Sequence, residues 1–268
     1  MTDPSILDLV AHTGDPAWLK ANGLMVAEGR IVVRRLLAAG DPVPVAVCLA
    51  EAATAAMMPV IMALPEARRP QVLLRTQAEL DALTGFRLHQ GCVAFAHRPA
   101  VVPWAGQPLG EGVCVLLERV RDPDNVGSTI RSAAAMGVRH VFIGPECADP
   151  YYRKAIRTSM GAVFSVRLWS AEPWPGVLAA LDAAGCQLVA TTPDLGAETV
   201  EAVAAGLDPA RPIVVLVGSE GEGLTAEARG AVHRSARIPM AGGLDSLNAS
   251  VAAAIAVYAF TRRERNGG

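Results

Sequence analysis

The stretch Ile213–Leu224 reads IVVLVGSEGEGL and decides the fold class of this chain. Its first five residues are apolar and mostly β-branched, which predicts a buried strand at 213–217. The glycines that follow predict a turn that leaves backbone N–H and C=O groups uncovered. In α/β proteins, ligands bind where parallel strands end in this way. The stretch therefore predicts an α/β sheet with a ligand site at this strand end.

The three glycines of the turn, Gly218, Gly221 and Gly223, are spaced as G-x-x-G-x-G. This spacing is the reverse of the G-x-G-x-x-G fingerprint of dinucleotide-binding domains. That fingerprint also belongs to the first strand–helix unit of such a domain, whereas this turn follows the last long apolar strand. We therefore reject a dinucleotide site and interpret the turn as an accessible backbone with Glu220 and Glu222 at its rim.

Two further segments place polar residues at the start of predicted helices. The first, Asp122–Arg131, enters a helix with Arg131 about one turn in. The second couples a short predicted strand, Arg237–Met240, to a helix that begins near Ser246 and is capped by Asp245 or Ser246. Taken alone, each segment also fits an ordinary capped helix with a solvated polar side.

The composition allows a full hydrophobic core and excludes a strongly basic protein. The chain has 268 residues, of which 51% are hydrophobic, and its mean hydropathy is +0.31. Its formal net charge of -2 provides no global positive field that would indicate a nucleic-acid partner.

The sequence gives no sign of export, membrane insertion or metal binding. The first residues lack the basic and apolar regions of a signal peptide. The most apolar stretches, 45–64 and 250–260, are interrupted by polar residues or too short to span a bilayer. The five cysteines are widely separated and form no CxxC pair, which argues against zinc and against a disulfide framework. We therefore expect a cytoplasmic protein without a metal.

A linker at 99–110, rich in proline and glycine, predicts two domains at 1–98 and 111–268. In the first domain, strands are predicted at 24–27, 43–49, 71–74 and 92–96, with helices at 30–39, 51–64 (broken or ended near Pro59) and 77–83. In the second, strands are predicted at 113–117, 140–143, 163–168, 187–191 and 213–217, with helices at 126–136, 151–158, 174–184, 225–232 and 247–261. This alternation predicts an α/β architecture in both domains.

The densest positive charge lies at Arg153–Ala162, where either a phosphate contact or a solvated helix face fits.

Taken together, these segments resemble the SpoU (TrmH-like) branch of the SPOUT superfamily of knotted RNA methyltransferases. Asn125–Ala133 is similar to the motif N-x-G-x-x-x-R-[ST]-A, and Leu216–Gly223 to [VL]-x-G-x-E-x-x-G. Ile238–Ala252 is similar to I-P-M-x-G-x(3)-S-L-N-x-S-x-A, and Arg157–Ala162 to R-x-S-x-G-A. In the first domain, the looser matches at 27–30 and 89–94 resemble the family's small L30e-like RNA-binding domain.

The resemblance implies an α/β fold in which a trefoil-knotted SPOUT methyltransferase domain follows a small L30e-like domain. It also implies S-adenosyl-L-methionine (SAM) as the cofactor, held largely by backbone groups. By positional match, the cofactor contacts are expected at Gly218, Ile238 and Leu247, and more loosely at Thr191 and Ser246. The family further implies a homodimer in which each site is completed by the partner chain.

The implied reaction is methyl transfer to a ribose 2′-hydroxyl, with Arg131 at the catalytic centre. A guanidinium almost never gives up its proton, so we expect Arg131 to hold the adjacent phosphate and stabilise the developing alkoxide rather than act as the base. Glu220 is expected to orient Arg131 or to accept the proton. Asn125 and Asn248 are expected to fix the ribose and the surrounding loops.

Three alternatives stay open at this point. The structured RNA substrate is ribosomal RNA in the favoured interpretation, because the chain has a separate N-terminal domain, but transfer RNA is the alternative. An antibiotic-resistance methyltransferase of the same branch has the same sequence features. A non-catalytic RNA-binding protein on the same fold is the third, although it would not need all four of Asn125, Arg131, Glu220 and Asn248.

Overall fold

The computed structural model describes residues 5–241 and 245–262. Its helices are α1 (Ile6–Ala11), α2 (Pro16–Ala21), α3 (Arg30–Ala38), α4 (Glu51–Met62), α5 (Gln77–Thr84), α6 (Pro123–Ala135), α7 (Arg153–Thr158), α8 (Gly176–Ala183), α9 (Val200–Ala205), α10 (Ala226–Ala231) and α11 (Ala249–Arg262). Its strands are β1 (Leu24–Glu28), β2 (Val43–Ala50), β3 (Gln71–Arg75), β4 (Cys92–His97), β5 (Val102–Pro103), β6 (Val113–Leu117), β7 (His140–Ile143), β8 (Arg167–Ser170), β9 (Gln187–Thr191), β10 (Glu198–Thr199), β11 (Ile213–Val217) and β12 (Arg234–Arg237).

The described residues form two compact units. The first comprises residues up to Ala100 together with Pro150–Ser165, and the second comprises Val101–Asp149 and the residues from Val166 onward. The chain first passes from the first unit to the second between residues 100 and 101, inside the predicted linker at 99–110. The segment Pro150–Ser165 belongs to the first unit, although its position in the sequence led us to include it in the second predicted domain.

The first unit is built on a four-stranded mixed sheet in the order β1-β4-β2-β3. Strand β4 runs antiparallel to β1 and β2, and β3 runs parallel to β2. Val26, Cys48 and Phe95 of the sheet are buried against Leu9 of α1 and Leu80 of α5. All four predicted strands are confirmed to within one residue at their ends, because each is a short apolar run bounded by polar residues or turns.

Two details of the first unit differ from the expectation. Helix α4 continues through Pro59 instead of ending there, and the carbonyl that loses its donor belongs to Ala55, which is exposed to water. Helices α1 and α2 were not predicted. Ser5 and Asp8 form a capping box at the start of α1, and Asp15 caps α2, so the capping pattern was the available signal.

The segment Pro150–Ser165 is fixed within the first unit by a buried ion pair. Arg153 donates to the buried Glu28 carboxylate at 2.6 and 3.1 Å, and its guanidinium lies over the Phe86 ring. The His89 backbone N–H donates to the same carboxylate at 2.8 Å. In the basic stretch Arg153–Ala162, Arg153 is therefore engaged with a carboxylate inside this unit and does not serve as a solvated phosphate contact.

The second unit is built on an eight-stranded sheet in the order β10-β12-β9-β11-β6-β7-β8-β5. Every recorded strand pair in it is parallel. The five residues of β11 are all buried, as expected of a strand with a sheet partner on each side. The predicted strands at 113–117, 140–143, 187–191 and 213–217 have the observed limits, so the α/β class with a parallel sheet is confirmed.

Two strand predictions in the second unit are wrong. The strand predicted at 163–168 begins only at Arg167, because Ala162–Phe164 forms a 3-10 turn after Gly161, whose φ is +78. The strand predicted at 237–240 lies three residues earlier, at Arg234–Arg237. Strand 234–237 is short and its arginines and serine are half-buried, so its alternation of apolar and polar residues is weak. The more apolar run Ile238–Met240 was therefore mistaken for part of the strand.

His140, the first residue of β7, predicts a pH dependence of stability. Burial, followed by the charges of Arg139 and Arg167, lowers the pKa of His140 below its ordinary value of 6.5. The Trp169 indole N–H donates to Nδ1 of the ring at 3.1 Å, which requires the neutral form. Because the unfolded chain then binds a proton more readily than the folded one, this contribution to stability is complete above pH 6.5. It is lost as the pH falls through the lowered pKa.

We expect a His140→Asn variant, which keeps an acceptor but cannot titrate, to show a shallower fall of the unfolding free energy between pH 7.5 and 5.5. Urea denaturation at a series of pH values measures it. Parallel pH profiles for the two proteins would contradict this role of His140.

Candidate active site

A cavity of about 480 Å³ opens at the carboxyl ends of strands β9, β11 and β12. Its wall comes from the ends of these strands, from the turn after β11 and from the start of α11. The cavity brings together all five residues predicted to contact the cofactor, namely Thr191, Gly218, Ile238, Ser246 and Leu247. The sequence separates these residues into three regions, and the parallel sheet brings them to one edge.

The lining combines polar and apolar side chains, as a ligand with charged ends and an aromatic ring requires. The hydroxyl oxygen of Ser219 is buried and has no hydrogen-bond partner among the described residues, so a polar ligand atom could satisfy it. Sequence reasoning missed Thr192, Asp194 and Arg229 in the lining, and it did not name Ser219, Leu224 and Met240 as cofactor contacts although they lie in the predicted segments.

Gly218 is required by the turn that it begins. A Cβ at this position would lie 2.3 Å from the carbonyl carbon of Gly223 and 2.5 Å from the backbone nitrogen of Leu224. The turn closes tightly here, with the Gly223 N–H donating to the Ser219 carbonyl at 3.1 Å. Gly221 and Gly223 have φ values of +87 and +67, which favour glycine. The glycines thus shape the cavity wall as well as uncovering its backbone.

Three of the four predicted catalytic residues form one hydrogen-bonded cluster beside the cavity. The Asn125 side-chain amide donates to Glu220 Oε1 at 3.0 Å. The Asn248 amide donates to Asn125 Oδ1 at 2.8 Å and to Glu220 Oε1 at 2.6 Å. Asn125 is buried near the start of α6, and Glu220 also lines the cavity. The cluster therefore links α6, the turn after β11 and the start of α11.

Asn248 has a second function as the cap of α11. Its Oδ1 accepts from the backbone N–H groups of Ser250 at 2.9 Å and Val251 at 3.3 Å. The predicted capping by Asp245 or Ser246 is therefore wrong, since the helix begins at Ala249 and Asn248 precedes it. One side chain thus uses its oxygen for the helix and its N–H groups for the cluster.

Glu220 is held in place by three hydrogen-bond donors. Its Oε1 accepts from both asparagine amides and, at 3.4 Å, from the backbone N–H of Ala249 at the start of α11. Donors of this kind at a helix N-terminus stabilise a negative charge. Three donors thus fix the position of the carboxylate, so its contacts favour a positioning role.

Arg131 lies apart from this cluster. It is an exposed residue of α6 and has no recorded hydrogen bond or ion pair with any described residue. It follows Asn125 by six positions, so the two side chains leave the helix on different sides. The predicted orientation of Arg131 by Glu220 is absent from the recorded contacts of the described residues.

Exchanging Asn248 for aspartate tests the cluster. The Asn248→Asp variant keeps the oxygen that caps α11 but replaces the donor that faces Glu220 with a second negative charge. We expect the rate of the methyl transfer that the sequence motifs predict to fall by at least about tenfold, since a donor to Glu220 is lost and like charges are apposed. Incorporation of labelled methyl groups into RNA measures the rate. Asn248→Ser, which can also cap the helix without adding charge, separates the lost donor from the added repulsion. A wild-type rate in both variants would contradict the role of the amide.

These features define an α/β protein with a cavity of the size of a small polar molecule at the carboxyl ends of parallel strands. The chain belongs to the SpoU rRNA methylase family, whose model matches residues 112–258. The resemblance stated from the sequence motifs is therefore confirmed.

Relatives match over most of their length. An uncharacterized tRNA/rRNA methyltransferase of Mycobacterium tuberculosis is 37% identical over 240 residues, which are 89% of this chain and 81% of the relative. An RNA 2′-O ribose methyltransferase of known structure is 28% identical with a TM-score of 0.79, covering 99% of this chain and 98% of its own. An rRNA methyltransferase of Sinorhizobium meliloti, solved with AdoMet (SAM) bound, is 25% identical with a TM-score of 0.76, covering 98% and 97%.

The described residues contain no cluster of three or more histidine, cysteine, aspartate or glutamate side chains that is suited to a metal ion. The five cysteines are all free thiols. In the part of the chain that the structure describes, no helix has both the length and the apolar character needed to cross a bilayer.

Proposed function

We propose that this chain transfers a methyl group to a ribose 2′-hydroxyl of structured RNA, and that the RNA is ribosomal. The chain is an RNA methyltransferase of its family, and its cofactor is S-adenosyl-L-methionine. The observation that carries the proposal is the position of Glu220, which lines the cavity and also joins the Asn125–Asn248 cluster. A cofactor cavity and a polar cluster that can position a hydroxyl therefore share one residue.

The cavity residues Thr191, Gly218, Ile238, Ser246 and Leu247 are proposed to hold the cofactor. When bound, the cofactor supplies an electrophilic methyl group. The part of this chain is to orient the ribose through the cluster formed by Asn125, Asn248 and Glu220, whose members hold one another in place. Orientation of this kind supplies much of the rate enhancement in a transfer between two bound molecules.

Arg131 is proposed to hold a phosphate of the RNA and to stabilise the alkoxide that develops as the hydroxyl passes its proton to Glu220 or to a water molecule. Its exposure and its lack of a recorded partner leave the guanidinium accessible to an external anion.

A homodimer is proposed in which Arg131 of one protomer serves the site of the other. Within this chain Arg131 leaves α6 on a different side from Asn125, and α6 packs against α11. Val251 and Tyr258, which are 46% and 53% exposed, give α11 an apolar outer surface for a second copy.

Mixed dimers test this arrangement. Arg131→Ala and Glu220→Gln are each expected to inactivate the enzyme, whereas their coexpression should restore about a quarter of wild-type activity, because half of the dimers contain one intact composite site. If the mixture is as inactive as either variant alone, the site is made within one chain.

Ribosomal RNA is proposed as the substrate because the rRNA methyltransferase of S. meliloti matches this chain from end to end, with the first unit included. Relatives described as tRNA/rRNA methyltransferases keep transfer RNA as the second candidate.

Mapping of methylated riboses in total RNA from cells with and without the protein distinguishes the candidates. We expect one 2′-O-methyl site in ribosomal RNA to disappear with the protein, and purified enzyme with SAM to restore it. Loss of a base methylation, or of a site in transfer RNA, would contradict the proposal.

Four further predictions accompany this function and stay predictions. They are the trefoil knot of the second unit, the L30e-like character and RNA binding of the first, domain limits at 1–98 and 111–268, and cytoplasmic localisation.

A further inference from the structure

We propose that Arg119 is a positioning residue for the turn Gly218–Leu224 and that it acts through Glu222. This inference rests on the proposed function only in taking that turn as a wall of the cofactor cavity. Arg119 is absent from the predicted site, and Glu222 was predicted only as a carboxylate at the rim of the turn. Among the described residues, neither is hydrogen-bonded to the Asn125–Asn248 cluster.

Glu222 is bound by arginines from the loop that follows β6. The Arg119 guanidinium forms an ion pair with the Glu222 carboxylate, and Arg121 lies 3.8 Å from it. Both arginines also pair with Glu146 of the loop after β7, Arg119 at 3.5 Å. These four charged side chains therefore connect the loops that follow β6, β7 and β11.

The turn is thus held from two sides. Glu220 contacts the two asparagines, and Glu222, two residues later, contacts Arg119. Gly221 lies between the two glutamates and Gly223 follows the second. Glycine loses more backbone conformational freedom on ordering than any other residue, so these two positions make the turn costly to order. Without the partners of Glu222, the turn is ordered by the short bridge between Ser219 and Gly223, by the contacts of Glu220, and by the Arg229 guanidinium, which donates to the Leu224 carbonyl.

Arg119 is itself fixed by its backbone. It has a φ of +59, unusual for a residue with a side chain, and its N–H donates to the Pro145 carbonyl at 2.9 Å. The same two loops are joined by hydrogen bonds from Gly144 to Leu117 at 2.8 Å and from Ala148 to Val120 at 2.9 Å. The guanidinium therefore projects from a hydrogen-bonded platform that continues the β6–β7 pairing beyond the strands.

Burial distinguishes this pair from an ordinary surface ion pair. The Arg119 side chain is only 23% exposed, although Glu222 is 56% exposed. Isolated surface pairs contribute little, whereas networks with an ordered arginine contribute more. The expected function is to order the turn before the cofactor arrives, so that less conformational entropy is lost on binding.

The experiment compares Glu222→Gln with a matched control, Glu198→Gln. Glu198 pairs with Arg234 in the same unit with nearly the same exposure, 24% and 51%, but neither residue lines the cavity. Calorimetric titration of each protein with SAM measures affinity, and hydrogen exchange of the free proteins measures the order of residues 218–224.

We expect Glu222→Gln to weaken SAM binding about three- to tenfold and to accelerate exchange in the turn. Glu198→Gln should change neither quantity. Arg119→Gln should reproduce the effect, and the double variant should be no worse than either single one, because the two residues act as a pair. The factor by which kcat falls, measured at saturating SAM, should be smaller than the factor by which the KM for SAM rises.

Two outcomes would overturn the inference in a wild-type protein that binds SAM: unchanged affinity in Glu222→Gln, or unchanged exchange of 218–224 in that variant. Failure of the wild-type protein itself to bind SAM would instead contradict the assignment of the cavity. If Arg119→Gln does not fold, Glu222→Gln alone decides the question.

Discussion

Replacement of Arg131 by alanine is expected to lower kcat about a hundred- to a thousandfold, the size found when one donor to a developing anion is removed. The affinity for SAM should change less than about twofold, because Arg131 does not line the cavity. The exposed guanidinium has no recorded partner among the described residues, so its removal should leave the fold intact. Single-turnover methylation measures the chemical step, and calorimetry measures the affinity.

Arg139→Ala provides the control for this prediction. Arg139 is also exposed and follows the same helix, but it lies just before β7, at the amino ends of the strands rather than at the carboxyl ends where the cavity opens. It should retain wild-type kcat. An equal loss of turnover and of SAM affinity in Arg131→Ala would show that Arg131 supports the cofactor site and would contradict the proposed stabilisation of the alkoxide.

Substitution of Gly218 by alanine is expected to abolish SAM binding or weaken it at least about a hundredfold. The new Cβ would overlap backbone atoms of Gly223 and Leu224, and backbone cannot move aside as a flexible side chain can. The turn must therefore open, which displaces both Ser219 and Glu220 from the cavity wall. The asparagine cluster then loses its carboxylate, so kcat should also fall. Calorimetry and methyl incorporation measure the two effects.

Gly230→Ala is the matched control, because it adds the same methyl group to the same unit. Gly230 lies within helix α10, and an added Cβ would meet no atom within 4 Å. This variant should bind SAM normally and gain about 0.5–1 kcal/mol of stability from the better helix former. Normal SAM binding by Gly218→Ala would show that the turn adapts and that its tight closure is unimportant.

Much of the fold follows from local patterns. The apolar runs that form β6, β9 and β11 were predicted with the observed limits, since a strand buried on both faces needs only a short apolar run between turns. Shorter or more polar strands were not predictable in this way. Strand β12 pairs with β9 through half-buried arginine and serine residues, so its position depends on its neighbours rather than on its own sequence.

The candidate site shows the same division. The five proposed cofactor residues and three of the four proposed catalytic residues come together, because glycine and amide side chains follow strand ends that the sheet aligns. The position of Arg131 outside the cluster, and the ion pair of Arg119 with Glu222, were not predictable. Both depend on the direction in which side chains leave elements far apart in the sequence.

The assignment of Pro150–Ser165 to the first unit has a consequence for dissecting the protein. The backbone passes between the units at 100–101, 149–150 and 165–166, so neither unit is a single continuous piece of chain. A fragment that ends at residue 98 lacks Arg153, the counterion of Glu28, together with the rest of helix α7, which packs against β1. Exchange of whole domains between relatives must therefore transfer the segment Pro150–Ser165 together with the N-terminal part. Gene fragments cut at the predicted linker should yield products that aggregate.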